Sequence, residues 1–322
     1  MLIGSLKKGL FVGLKTTWTL GKIIFPVTII VSVLQYTPVL PWVIKMISPL
    51  MKLLGLSGNA AIPLVLGNFL NLYAAIGAIL TLHFSVKEVF ILAIMLSFSH
   101  NLFIESSVAV KTGVKLWVVL ATRIGLALAS AAVINLVWHG GSGTAQYGLI
   151  PTTSAHVTGI VSIVGEAIKK AVIGILQLTM IVIPLMIVIQ FLKDLNWLEK
   201  FSKGLAPVMR TLGMKENTAM TMAAGLFFGL AYGAGVMIQA VKEDGVSKKD
   251  LTLAFIFLVG CHAVVEDTLI FVPLGIPVWP LFLIRLGVAI VITLAVSTIW
   301  NRSGTMSRKE ASYDKQNYDN SL

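Results

Sequence analysis

Eight polar or ionisable side chains stand inside stretches that are otherwise apolar. They are His100, Asn101, Glu105 and Arg123 in the first half of the chain, and His262, Glu266, Asp267 and Arg285 in the second. An ionisable group in a bilayer costs at least ~2.5 kcal/mol, so each needs a partner or a task. Glu105 and Arg123 flank a short loop near residues 111–114. At about 1.5 Å per helical residue their depths differ by only a turn or so. They read as a buried ion pair, and Asp267 with Arg285 repeats it. The alternative is that the arginines face an anionic substrate. Glu266 has no such counterpart, because Ile104 stands at the matching position. A carboxylate so placed can carry a coupling proton or hold a cation.

His100 and His262 sit in the triplets SHN and CHA, which interrupt two apolar runs. An unwound turn there exposes carbonyls and amides as ion ligands. Histidine titrates near neutral pH, which suits a proton-coupled carrier, while capping a half-helix end is the plainer use. His100, His262, Cys261 and Glu266 together offer a transition-metal set. The spacings HxxxxE and CHxxxED are no established metal motif. Asn68, Asn71 and Tyr73 lie in a glycine-broken apolar stretch, and Tyr232 lies in a second. These side chains can hydrogen-bond a solute or close their own backbone. Neither HExxH nor GxSxG occurs, so no enzyme and no cofactor is expected.

The elements that must position these residues are membrane-spanning. Of 322 residues, 57% are hydrophobic and 12% charged; the mean hydropathy is +0.90. Soluble domains carry about 25% charged residues, so a soluble globular protein is excluded. Lys and Arg exceed Asp and Glu by 25 to 14, a net +11. Most of that excess lies in short loops, the cytoplasmic mark of membrane proteins and no nucleic-acid footprint. One cysteine excludes an intrachain disulfide. An all-α polytopic protein of the cytoplasmic (inner) membrane is expected.

The chain repeats itself. At an offset of 158, Pro26, Pro49, Gly55, Asn59, Gly67, Phe69 and Gly77 meet Pro184, Pro207, Gly213, Asn217, Gly225, Phe227 and Gly235. At 162, Ser85, Lys87, His100, Gly113, Trp117, Arg123 and Trp138 meet Ser247, Lys249, His262, Gly275, Trp279, Arg285 and Trp300. Apolar composition aligns Leu with Ile; it does not align His, Arg and Trp in order. Repeat 1 spans 20–138 and repeat 2 spans 172–300. A cytoplasmic amphipathic segment (1–19), an external connection (139–171) and a solvated cytoplasmic tail (301–322) complete the chain.

Each repeat offers an apolar span, an amphipathic interfacial stretch (39–54, 196–212), and a stretch broken by Gly and Asn (57–82, 215–240). An interrupted span (86–110, 248–271) and a clean span (115–138, 278–300) follow. Reading the third part as a re-entrant hairpin leaves three crossings per repeat and inverts the second repeat. Lys7, Lys8, Lys15, Lys111, Lys115, Lys193, Lys200 and Arg210 then fall inside with both termini, and 139–165, which has no Lys, Arg, Asp or Glu, falls outside. Inverted repeats with broken helices are a recurring transporter architecture, with the site at the repeat interface.

The segments PLMKLLGLSGNAAIPLVLGNFLNLYAAIGAI and PVMRTLGMKENTAMTMAAGLFFGLAYGAG resemble the Gate, or nucleoside-recognition, domain. That domain occurs in concentrative nucleoside transporters, in the membrane part of the ferrous-iron transporter B family, and in spore maturation A and B proteins. The resemblance covers most of both repeats. It implies a site built by hairpin tips and unwound helices, at Ser57–Asn59, Lys215–Asn217 or the central Gly/Asn stretches, with His100–Glu105 and His262–Asp267. The phosphate-binding GxxxxGK[ST] of a fused GTPase is absent. Three functions remain open. The leading one is a secondary carrier for a nucleoside-like solute or small organic anion, coupled to H+ or Na+. The others are a divalent transition-metal transporter and a non-transport partner of a sibling membrane subunit or of a second copy.

Overall fold

The computed structural model describes residues 2–34, 37, 39–149 and 159–302. The expected solvated tail falls almost wholly outside the described residues. Helices build the fold: α1 (Leu2–Leu34), α2 (Val39–Leu53), α3 (Ala61–Phe69), α4 (Leu72–Ile79), α5 (Val86–Ser99), α6 (Leu102–Lys111) and α7 (Leu116–Val137) come first. The second half gives α8 (Ile160–Asp194), α9 (Trp197–Thr211), α10 (Ala219–Tyr232), α11 (Ala234–Glu243), α12 (Lys248–Gly260), α13 (Glu266–Leu269) and α14 (Val278–Arg302). Among the described residues, five helices are long and apolar enough to cross a membrane, or six if the bent pair Ile44–Leu53 and Gly58–Phe69 is one span.

The duplication extends to the helix caps. Gly55 and Gly213 both take left-handed φ, at 74° and 82°. Beyond them Leu56 N–H donates to Met51 and Met214 N–H to Met209, the bond pattern that closes a helix end on glycine. Ser85 caps α5 by accepting from Glu88 N–H, and Ser247 caps α12 by accepting from Asp250 N–H. Helix α3 breaks at Leu70 and α4 restarts on Asn71, whose side chain accepts from Ala74 N–H. Helix α10 kinks at Gly229 (φ 71°) and α11 follows. In each half the two helices pack against each other.

Two elements differ from the expectation. No separate surface helix covers 1–19: α1 runs unbroken through it to Leu34. At 33 residues it is about 50 Å long, well over a bilayer's apolar core. Likewise α8 starts at Ile160, inside the stretch read as an external connection. The reason is mutual packing. A Cβ on Gly9 would stand 2.6 Å from Ile187 Cα, and one on Gly13 3.1 Å from Ile183 Cα; Gly21 faces Ile175. These glycines let the backbones meet, as small residues four apart do between membrane helices. Their matches on α8, Ala167 and Ala171, are buried too. The contacts descend on α8 as they ascend on α1, so the two helices run in opposite directions.

Candidate functional site

Two helix breaks supply the centre, one between α5 and α6 and one between α12 and α13. Helix α5 ends at Ser99, His100 leaves the helical region, and Asn101 takes φ 53° before α6. Helix α12 ends at Gly260, and Ala263 takes φ 39° before α13. Asn101 and Ala263 match at the 162 offset. Asparagine tolerates this left-handed region, whereas alanine's Cβ crowds the next carbonyl. Each unwound turn is tied to a hairpin: Asn101 N–H donates to Gly67 O at 2.8 Å, and Ala263 N–H to Gly225 O at 3.1 Å. Freed backbone amides are thereby satisfied within protein, the condition for irregular chain at membrane depth.

Both histidines are held alike. His100 Nδ1 lies 2.7 Å from Leu96 O, and His262 Nδ1 lies 2.7 Å from Leu258 O. A carbonyl only accepts, so each Nδ1 carries a proton, and in the neutral form of the ring the lone pair is at Nε2. The rings lie 5.2 Å apart, centre to centre. Around them stand carboxylates. His100 Nε2 is 3.3 Å from Glu105 Oε1, and His262 Nε2 is 3.4 Å from both Glu105 Oε2 and Asp267 Oδ2. His262 Nε2 is buried and makes no hydrogen bond among the described residues.

Two fully buried arginines brace this centre from behind. Arg123 donates to Glu105 Oε2 at 2.6 Å and to the carbonyl of His100. Arg285 donates to His262 O at 2.8 Å, to Thr268 Oγ1 at 3.2 Å and to Asp267 Oδ2 at 3.4 Å. A cation at the last carbonyl of a half-helix is favourably placed on its dipole. Each guanidinium thus fixes both an unwound turn and the carboxylate beyond it.

A cavity of about 280 Å³ opens beside the centre. The two helix breaks and the turns after them line it with His100, Asn101, Glu105, His262, Glu266 and Asp267; α3–α4 adds Asn71 and Tyr73. Tyr73 O–H donates to Glu266 Oε1 at 2.5 Å, a buried bond between the two halves. The arginines stand outside the lining. So does Asn68, whose amide donates to Leu64 O. Cys261 is buried and also outside the lining, so it does not share a pocket with the histidines. The side chain of Tyr232 lies outside the described residues. Ser57 and Asn217 serve the frame: Ser57 N–H donates to Glu88, and the Asn217 amide to Asp244 O.

Sequence reasoning missed Thr19, Leu20 and Ile23 of α1, and Phe228 and Gly229 at the second hairpin's kink, all of which line the cavity. Nothing in an apolar span singles out Thr19. The glycine at 229, matching Asn71 at the 158 offset, was the available signal for the kink.

Comparison with known proteins places this arrangement. The nucleoside-recognition domain Gate matches residues 17–121 and 175–276. An uncharacterized membrane protein of Bacillus subtilis (strain 168), YvoD, is 64% identical over 294 residues, covering 91% of this chain and 94% of the relative. No solved structure matches. With the apolar helices, these findings describe a multi-pass membrane protein.

Proposed function

The chain belongs to the Gate family of nucleoside-recognition membrane domains, and on that premise we propose that it is a secondary carrier for a small polar solute, working by alternating access. One observation carries the reading: two interrupted spans and two hairpins, one of each from each half, meet at a single cavity lined by two histidines and three carboxylates. Buried ionisable groups in membrane spans mark substrate and ion paths.

The antiparallel course of α1 and α8 supports an inverted pair of repeats. If both cross the bilayer, the axis relating the halves lies in its plane. The hairpins α3–α4 and α10–α11 are then re-entrant, six spans remain, and the lysine distribution keeps both termini in the cytoplasm. The lining bears on the cargo. Glu105, Glu266 and Asp267 reach the cavity, while Arg123 and Arg285 are spent on carbonyls and carboxylates behind it. An organic anion would meet only like charge. A neutral, hydrogen-bonding solute of nucleoside type or a small cation fits better, and the volume suits the lower end of small-molecule sites, roughly 300 Å³.

The test is uptake into liposomes holding the purified protein, with nucleosides, small organic cations and organic anions each supplied as labelled solute. Uptake of a neutral or cationic solute that Glu266→Gln and His262→Ala abolish supports the reading. Uptake of anions alone, or uptake indifferent to both variants, overturns it.

A further inference from the structure

We infer that His100, His262 and Asp267, with Glu105 beside them, bind one divalent transition-metal ion. The argument is geometric. Transition metals of this class sit about 2.0–2.1 Å from imidazole nitrogen and carboxylate oxygen. In a tetrahedral shell such bonds place neighbouring donors about 3.3–3.4 Å apart. The contacts His100 Nε2–Glu105, His262 Nε2–Glu105 and His262 Nε2–Asp267 measure 3.3, 3.4 and 3.4 Å. Charge-assisted N–H···O bonds are shorter, about 2.7–2.9 Å. The spacing therefore suits donors that share a cation better than donors that bond one another. Donor atoms of His100, His262 and Asp267 all fall within 4.8 Å of one another, so small side-chain rotations complete the shell.

The surroundings have the form that metal sites take. Each imidazole turns Nδ1–H to a backbone carbonyl, which leaves Nε2 as the lone-pair donor and fixes the ring. Each carboxylate is held by a guanidinium. The Nε2 of His262, 1% exposed as a residue, has no hydrogen-bond partner among the described residues and aims into this centre. Imidazole with carboxylate selects the Fe2+, Co2+, Zn2+ class; no thiolate joins, because Cys261 lies outside the cavity. Arg123 and Arg285 already balance Glu105 and Asp267, which leaves Glu266 as the nearby charge for a dication. Only the ion's role as cargo or coupling ion rests on the carrier reading; its binding does not.

The experiment uses the full chain in detergent, stripped with chelator and titrated with Co2+. Expected are one Co2+ per chain, visible ligand-field bands, and an X-ray absorption signature of two imidazoles. His100→Gln and His262→Gln each weaken binding by about 10-fold or more, Asp267→Asn weakens it similarly, and Cys261→Ser leaves it unchanged. Wild-type protein that takes up no stoichiometric Co2+, or shows no imidazole ligation, overturns the site without recourse to any variant. Binding that persists in well-folded histidine variants also overturns it. Solute uptake by protein that binds no metal would sink the metal site and spare the carrier. Stoichiometric imidazole-bound Co2+ with no uptake of any solute supports the site and removes the carrier reading.

Discussion

At the break in the first half, Asn101 takes the left-handed turn and Arg123 reaches Glu105 at 2.6 Å. At the break in the second half, Ala263 takes that turn and Arg285 stands 3.4 Å from Asp267, spreading its bonds to Thr268 and the His262 carbonyl. Across the cavity the difference grows. Tyr73 of the first hairpin bonds Glu266 of the second interrupted span, and the residues that match them by offset are Ala231 and Ile104. The two halves share caps, glycine turns, histidines and arginines, and within the cavity lining they differ at Tyr73 against Ala231 and at Glu266 against Ile104. In the proposed carrier, a symmetric frame with an asymmetric lining would allow the two faces unequal affinities.

The arginines offer the sharpest way to break the equivalence. Replacing one with an apolar residue strands a buried carboxylate and an unsatisfied carbonyl, a loss of about 3–5 kcal/mol. Arg123→Leu is expected at the upper end, because its contact with Glu105 is shorter and Thr268 has no bonded equivalent beside it. Arg285→Leu is expected lower, because Arg285 stands farther from its carboxylate, 3.4 Å from Asp267. Unfolding free energies of both variants in mixed micelles decide the matter; equal losses would mean that the two braces are interchangeable.

The cavity pair comes next. Tyr73→Phe leaves Glu266 buried without that donor, and hydrogen bonds to charged groups are worth about 1.5–3 kcal/mol. Removing both partners, as Tyr73→Ala with Glu266→Ile, gives each position the residue found at its match in the other half, Ala231 and Ile104. The double variant is expected to lose less stability than the sum of its singles, and to lose solute uptake entirely. A double-mutant cycle reads the first expectation and a liposome assay the second. An additive cycle would show that the bond across the halves contributes nothing.

What the sequence reveals follows from which forces are local. Turns and caps are local, so Gly55 and Gly213, Ser85 and Ser247, and the breaks at His100 and His262 stand out by residue type and by recurrence. Helix–helix packing is not local. Lys7, Lys8 and Lys15 suggested a surface segment, yet α1 continues through them because Gly9 and Gly13 let it lie against α8. The four-residue spacing of those glycines carried the information, but only a partner gives it meaning. Cys261 adjoins His262 in sequence and stands apart from it in the cavity, since neighbours in an unwound turn point different ways. The Tyr73–Glu266 bond joins residues 193 apart, and no spacing within one repeat announces a contact between two.

A smaller effect attaches to the left-handed residues. An alanine at φ 39° is disfavoured by about 1–2 kcal/mol, while asparagine carries little of that penalty. Ala263→Asn, which restores the first half's residue, is expected to raise stability by about 1 kcal/mol. Asn101→Ala, which imposes the second half's residue, is expected to lower it by about as much. If melting temperatures move the same way for both, the turn residue is serving the cavity rather than the backbone, since Asn101 also lines it.

The helix caps should differ least. Ser85 accepts from Glu88 N–H at 3.2 Å while Glu88 returns a contact to Ser85 N–H at 2.9 Å, so two amides are satisfied reciprocally. Glu88 also accepts from Ser57 N–H at 2.8 Å, which pins the start of α5 to the first hairpin's base. Ser247 accepts from Asp250 N–H at 3.1 Å, and the Ser247 hydroxyl donates to Asp250 Oδ2 at 2.9 Å, so among the described residues no bond returns to the Ser247 N–H. The shorter aspartate closes a smaller ring and reaches no second element. Loss of a serine cap is worth about 1 kcal/mol. Ser85→Ala should therefore lie slightly above that figure and Ser247→Ala slightly below, and amide exchange should quicken at Ser57 only in the first variant. Faster exchange at both hairpin bases would mean that the second half carries a tie equivalent to Glu88, and that the caps, like the glycine turns, have not diverged.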